Sequence, residues 1–222
     1  MRCAKLRAMD TPASNASRRV VLAGAGALAA STAVAQTPAA APPAAAPLPR
    51  VAITTGQGVI TLELAADKAP ITSANFLRYV DAKRFDGAGF YRAMKLLADP
   101  LTGLIQGGVK NEAAKAYPPI KHESTLQTGL SNRDGAVSMA RYDPGTATSE
   151  FFICLGDLSG LDAKGDGTGE NAGFAVFGHV VDGLDVAKKI LLSPISPTAG
   201  ESDGMKGQML DPEVTIISAR RA

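Results

Sequence analysis

The sequence Phe-Tyr-Arg-Ala-Met-Lys at residues 90–95, followed after an interval by Gly-Leu-Ile-Gln-Gly-Gly at 103–108, is the stretch around which the chain is organised. It sets one guanidinium, Arg92, within apolar and aromatic sequence, and one carboxamide, Gln106, before a glycine pair. Both side chains donate hydrogen bonds without titrating near neutral pH. A hydrolase would need a nucleophile beside a base, and this stretch contains neither. The pattern therefore indicates a site that polarises an amide without cleaving it.

A second stretch, Thr-Ser-Glu-Phe-Phe-Ile at 148–153, would supply the apolar floor that such a site needs. Because successive side chains of a strand point to opposite faces, one of the two phenylalanines can face the site while the other enters the core. We expect Phe152 to face the site, and Phe151 and Met139 to face the core.

These stretches, with four other blocks, resemble the cyclophilin family of peptidyl-prolyl cis-trans isomerases. The resemblance covers Val51 to Ala222. Any one block is weak evidence, but seven in the family's order are strong. The blocks are a strand hairpin at 51–64, Ala-Pro-Ile-Thr-Ser-Ala-Asn-Phe at 69–76, Phe-Tyr-Arg at 90–92, Ile-Gln-Gly-Gly at 105–108, Val-Ser-Met-Ala-Arg at 137–141, Ser-Glu-Phe-Phe-Ile at 149–153 and Phe-Ala-Val-Phe-Gly-His-Val at 174–180.

The hydrophobic pattern predicts a mainly β fold. Two β-rich runs separated by a three-residue, Gly-containing gap indicate a hairpin, and six further short strands bring the number to eight. The expected strands are 51–55, 59–64, a segment near Phe90, 104–105, 136–140, 151–155, 174–180 and 214–219. Many short strands with few helices favour a closed antiparallel barrel. The resemblance implies an eight-stranded barrel capped by two α-helices.

Two helices are expected beside the strands. The first opens around Pro70 and buries Phe76, Leu77 and Val80 on one stripe. The second covers 185–191, with Val186 and Ile190 one turn apart.

The N-terminus has the composition of an export leader. The first nineteen residues carry five basic side chains and one acidic side chain, and an uncharged Ala/Gly/Val/Leu run follows from Val20 to Ala35. Because this run is short and ends in the small-x-small pattern Ala-Val-Ala, we expect a signal peptide over 1–35 rather than a transmembrane helix. Ser-Arg-Arg-Val-Val-Leu at 17–22 also looks like a twin-arginine signal, so two export routes stay open.

The mature chain would begin at Gln36 and lie in the periplasm, with no stable membrane insertion after cleavage. Residues 36–50 are rich in Ala and Pro and predict an extended tether, and 51–222 would form the isomerase domain. Removing the leader's five basic residues and one acidic residue from the chain's 23 and 21 leaves 18 and 20. A near-neutral mature chain gives no basic face for nucleic acid. We expect a monomer.

Nothing in the sequence predicts a metal or a cofactor. His122 and His179 are the only histidines and lie far apart. A segment that begins like a calcium loop at Asp162 carries Lys164 at its third ligand position. Cys154, the cysteine that remains after leader cleavage, lies among apolar residues and is expected to be a buried small hydrophobe.

Arg92 is the expected catalytic residue. The barrier to rotation about a peptide bond before proline comes from amide resonance, so a catalyst must favour the twisted state, whose pyramidal nitrogen accepts a hydrogen bond. A permanently charged guanidinium suits that role. The resemblance implies that the substrates are proline-containing peptides and unfolded or flexible protein chains.

The resemblance also implies the substrate-binding residues. Phe152 would be the floor of the proline pocket, with Leu104 and Leu161 as its walls. Gln106 would hydrogen-bond the substrate backbone. Ala140 and Arg141 would align the residues before proline as an extended strand.

Several positions depart from the family's pattern. Arg92 and Gln106 are further apart than is usual, through extra sequence at 95–102, and Gly103 and Gly160 stand where aromatic side chains are common. Glu150 replaces a frequent Gln, and Tyr91 replaces a frequent His in what we expect to be a packing role. These changes open or charge the groove. An alternative to the enzyme is therefore a noncatalytic peptide-binding or chaperone module that uses the same groove; a hydrolase lacks any Gly-x-Ser-x-Gly elbow.

Overall fold

The computed structural model describes residues 47–96, 99–202 and 204–222 of the 222-residue chain. The predicted signal peptide, its cleavage site and residues 36–46 of the predicted tether lie outside these residues. The first strand begins at Arg50, one residue before the predicted start of the domain, and Arg50 forms an ion pair with Glu63 on the next strand (Nη2 to Oε2, 2.7 Å).

Eight antiparallel strands form a closed barrel in the order β1-β2-β7-β5-β6-β4-β3-β8, so the predicted fold class is confirmed. All eight strands lie where the sequence predicts them, but β3, β4 and β8 are much longer than expected. The strands are β1 (Arg50–Thr55), β2 (Gly58–Leu64), β3 (Gly89–Leu96), β4 (Asp99–Gly108), β5 (Ala136–Met139), β6 (Phe151–Leu155), β7 (Ala175–Asp182) and β8 (Met209–Arg221).

The two predicted helices are present, as α1 (Pro70–Asp81) and α3 (Leu184–Leu191), together with the single turn α2 (Thr125–Thr128). No side chain of α1's own N-terminus caps it. Instead, the carboxylate of Glu123 accepts hydrogen bonds from the backbone N–H groups of Ile71 and Thr72, at 3.1 and 2.7 Å. A carboxylate at a helix N-terminus accepts from free N–H groups, and its negative charge interacts favourably with the positive end of the helix dipole.

The core inside the barrel is built around aromatic rings. Phe76 of α1, which is 1% exposed, packs against Phe85, Phe151 and Phe177 with ring centroids 5.1 to 5.2 Å apart. The other expected stripe residues of α1 are buried as well, and so are Phe151 and Met139, as predicted.

The extra sequence between Arg92 and Gln106 lengthens the β3–β4 hairpin. Arg92 lies directly opposite Gln106, the ladder continues to Lys95 opposite Gly103, and the register then shifts. The two site residues therefore remain cross-strand neighbours. Gly103 is fixed by this packing, because a Cβ there would lie 1.9 Å from the carbonyl oxygen of Met94. No larger side chain fits at this position of the hairpin.

Replacing Gly103 with alanine should lower the free energy of unfolding by about 2 kcal/mol or more, since the new methyl group meets rigid backbone. Gly160→Ala is the matched control, because a Cβ at Gly160 has no neighbour within 4 Å among the atoms described. Urea denaturation followed by circular dichroism measures both variants. Equal unfolding midpoints would contradict the close approach of β3 and β4.

Candidate active site

A groove of about 470 Å³ runs along the outer face of the barrel beside β3, β4 and β6. The structure brings all seven predicted site residues to this groove, although they come from five separate parts of the sequence. They are Arg92, Leu104, Gln106, Ala140, Arg141, Phe152 and Leu161. Their placement together is observed, and the role of each one stays a prediction.

The apolar part of the groove is built on Phe152. This side chain is 3% exposed and packs with Leu104 and Leu161, apart from the barrel core that contains its neighbour Phe151. The ring of Phe174 meets it edge to face, with centroids 5.4 Å apart. Phe174 was not among the predicted site residues, although it begins the sequence block at 174–180.

A β-bulge in β3 turns two consecutive side chains toward the groove. Phe90 lies opposite Gly107 and Arg92 opposite Gln106, so Tyr91 is one extra residue between adjacent pairs of the ladder. Phe90 is buried in the core, whereas both Tyr91 and Arg92 line the groove. A bulge of this kind re-aims side chains that simple alternation would send to opposite faces.

Two glutamine oxygens hold the Arg92 guanidinium. Nη1 donates to Oε1 of Gln106 at 2.9 Å, and Nε and Nη2 donate to Oε1 of Gln208 at 2.8 and 2.6 Å. Burial lowers the pKa of Arg92, but an arginine remains charged in proteins because its ordinary pKa is so high. The site therefore presents a fixed cation beside an apolar pocket.

Gln106 is held in turn by a chain of hydrogen bonds that ends at a carboxylate. Its Nε2 donates to the Tyr91 hydroxyl at 2.8 Å, and that hydroxyl donates to Oε2 of Glu150 at 2.5 Å. Burial, followed by the charge of Glu150, raises the pKa of Tyr91, so the phenol keeps its proton and acts as a donor. The predicted packing role of Tyr91 is thus incomplete, because its hydroxyl also orients the amide.

The direction of this chain is set by its two ends. Arg92 can only donate, and an ionised Glu150 can only accept. Between them the Gln106 amide must turn its oxygen to Arg92 and its nitrogen to Tyr91. One N–H of Gln106 then remains beyond the one that Tyr91 accepts.

Ala140 and Arg141 follow β5 at the other end of the groove. The Ala140 N–H donates to the carbonyl of Glu150 at 2.8 Å. The Arg141 guanidinium donates to the carbonyl of Gly173 and lies 5.1 Å from the Phe174 ring centroid. Its side chain therefore holds the wall of the pocket, and the predicted alignment of a peptide by Ala140 and Arg141 stays a prediction.

Comparison with known proteins gives the family. The family model described as cyclophilin type peptidyl-prolyl cis-trans isomerase/CLD matches residues 50–220. The chain belongs to the cyclophilin family.

Relatives of this cyclophilin carry the same activity in their names. A peptidyl-prolyl cis-trans isomerase of Acinetobacter baylyi is 37% identical over 176 residues, which cover 77% of this chain and 84% of the relative. Peptidyl-prolyl cis-trans isomerase B of Escherichia coli K12 is 33% identical over 172 residues, covering 75% and 98%. The expected enzyme activity, rotation about Xaa-Pro peptide bonds, is confirmed by the family match and by these relatives.

The solved structures agree with the fold of this cyclophilin. A Cryptosporidium parvum cyclophilin type peptidyl-prolyl cis-trans isomerase superposes with a TM-score of 0.61, covering 79% of this chain and 98% of that one. The sequence identity is 21%, so the likeness concerns the fold alone.

The remaining predictions for this cyclophilin concern groups outside the groove. Cys154 is a free, fully buried thiol, which confirms the prediction of a buried small hydrophobe, and burial raises its pKa to about 12. Within residues 47–96, 99–202 and 204–222, no three His, Cys, Asp or Glu side chains are grouped so that they could hold a metal ion. No helix in the same ranges is long and apolar enough to span a membrane.

Replacing Tyr91 with phenylalanine tests the chain of hydrogen bonds. The change leaves the buried carboxylate of Glu150 and the amide of Gln106 with one partner fewer, so the free energy of unfolding should fall by about 1 to 3 kcal/mol. The isomerase kcat/KM should fall as well, because Gln106 is then free to rotate. Chemical denaturation and a peptide isomerisation assay measure the two effects.

Tyr117→Phe is the matched control for that variant, since the Tyr117 hydroxyl makes no hydrogen bond with the residues described, whereas its ring contacts Tyr79 (centroids 4.9 Å apart). Equal losses in the two variants would show that the Tyr91 hydroxyl has no special part in the site.

Proposed function

We propose that this protein is an exported prolyl isomerase that assists folding in the periplasm by acting on proline-containing segments of unfolded or flexible chains, and that Arg92 is its catalytic residue. The observation that carries the proposal is the cation of Arg92, fixed by two neutral oxygens at the edge of an apolar pocket. The route of export and the monomeric state are part of the proposal.

The chemistry follows from the amide bond. The barrier to rotation is roughly 18 to 20 kcal/mol because rotation breaks amide resonance. In the twisted state the prolyl nitrogen is pyramidal and accepts a hydrogen bond. Nη1 of Arg92 has one N–H beyond the one that Gln106 accepts, and this group supplies the donor. No covalent step or cofactor is needed.

The pocket supplies the rest of the catalysis. One hydrogen bond to a charged group contributes about 1.5 to 3 kcal/mol, and each tenfold in rate requires about 1.4 kcal/mol. Arg92 alone therefore gives a modest catalyst. Phe152, Leu104 and Leu161 hold the proline ring in a dry site, where an electrostatic contact acts more strongly than it does in water. The free N–H of Gln106 orients the substrate carbonyl.

Two observations support export: the sequence of the leader, and the position of the matched domain after it. A basic segment, an uncharged apolar run and an Ala-Val-Ala site occur in the order of a signal peptide. The domain match begins only at residue 50, so this segment lies outside the matched catalytic domain. An isomerase in the periplasm would meet newly exported chains while their Xaa-Pro bonds still equilibrate.

Replacing Arg92 with alanine should lower kcat/KM by about 10- to 100-fold, as one charged hydrogen bond is lost from the twisted state. The cis-to-trans relaxation of a short Xaa-Pro peptide measures the rate. Arg221→Ala is the control, because Arg221 lies in an exposed ion pair with Asp81. A wild-type kcat/KM in the folded Arg92→Ala protein would contradict the proposed catalytic role of Arg92.

The mature protein recovered from a periplasmic fraction should begin at Gln36, and intact mass spectrometry measures this directly. Changing Arg18 and Arg19 together to lysine should block export through the twin-arginine route and leave the general secretory route working. Retention of the leader on protein recovered from the cytoplasm alone would contradict the proposed location.

A further inference from the structure

The segment between α3 and β8 contributes a residue to the site that no sequence block contains. Gln208 ends this segment, 116 positions after Arg92. Its Oε1 accepts from both Nε and Nη2 of Arg92, at 2.8 and 2.6 Å. Its backbone carbonyl also accepts from the N–H of Ala93 at 2.7 Å. One residue therefore fixes both the guanidinium and the strand that carries it.

The segment is folded so that Gln208 keeps this position. The N–H of Gln208 donates to the carbonyl of Met205 at 3.0 Å, and the N–H of Met205 donates to the carbonyl of Gly200 at 2.7 Å. Ser196 at the start of the segment donates through its N–H to the carbonyl of Met209 at 2.8 Å. These backbone hydrogen bonds fix the position of the Gln208 main chain and so hold its side chain near Arg92.

The Gln208 side chain is uncharged, and this matters for the positive charge that Arg92 presents to the substrate. A carboxylate would accept the same two N–H groups, but its negative charge would cancel much of the field that Arg92 offers to the prolyl nitrogen. An amide oxygen fixes the plane of the guanidinium and leaves its charge in place. With Gln106 on Nη1, the two amide oxygens leave the second Nη1 N–H pointing away from both of them.

We propose that Gln208 is a positioning residue for the isomerase reaction, which holds the plane of Arg92 so that its free N–H meets the twisted prolyl nitrogen. This inference rests on the proposed catalytic role of Arg92. It gives the segment between α3 and β8 a part in the reaction that acts through Arg92.

Two substitutions separate orientation from charge. Gln208→Met keeps the length of the side chain and removes the oxygen; kcat should fall by about tenfold with little change in KM, because the contact acts on the twisted state. The ¹⁵N-resolved NMR signal of the Arg92 Nε–H should then exchange faster with water by about tenfold or more. Gln208→Glu should also lower kcat while the Nε–H stays protected, because the carboxylate holds the plane and cancels the charge.

Lys206→Ala is the matched control, since it removes an exposed ion pair with Glu201 in the same segment without touching Arg92. It should leave kcat and the Nε–H signal unchanged. Should the methionine variant not fold, Gln208→Asn withdraws the oxygen with a shorter side chain and takes its place.

Arg92→Ala, measured beside these variants, separates the two proposals. A wild-type kcat in folded Gln208→Met, together with a strongly reduced rate in Arg92→Ala, would overturn the role of Gln208 alone. In Gln208→Met, a reduced kcat with unchanged exchange of the Arg92 Nε–H would overturn it too, since Gln208 would then act by another path. A wild-type rate in Arg92→Ala would instead remove the proposed function on which this inference rests.

Discussion

The alternation of side chains along a strand gives β4 and β6 one face in the core and one face in the groove. Along β4, Ile105 enters the core while Leu104 and Gln106 face the groove, and along β6 Phe151 and Phe152 divide in the same way. Because successive side chains of a strand point to opposite faces, the packing that closes the barrel also fixes the floor of the site. The apolar floor of the groove is therefore positioned by the same strands that pack the core.

The polar half of the site depends on a local exception to this alternation. The bulge at Tyr91 places its hydroxyl on the same side as the Arg92 guanidinium, and a chain of hydrogen bonds between a fixed anion and a fixed cation becomes possible. Every group between Glu150 and Arg92 has a single favourable orientation. Such preorganisation spares a catalyst the reorganisation that water would require at each turnover.

Local sequence patterns predicted the strands, the two main helices and the residues of the groove. The contacts that they did not predict join segments that are distant in the sequence. Alternation correctly separated Phe151 from Phe152, and the seven site residues implied by the family resemblance lie in one groove. Gln208 could not be found in this way, because its contact with Arg92 exists only after the barrel closes. The Tyr91–Glu150 pair was missed because the two residues are 59 positions apart and meet only in the folded chain. Similarly, no local signal reveals that Glu123 caps α1.

The hairpin of β3 and β4 has a consequence for how such a chain can diversify. The ladder from the Arg92–Gln106 pair to the Lys95–Gly103 pair is in strict register, and the tight contact at Gly103 closes it. Since these pairs set the register, we expect that a longer or shorter tip would leave Arg92 opposite Gln106. The length of the hairpin and the pairing of the two groove residues are therefore set by different parts of the hairpin.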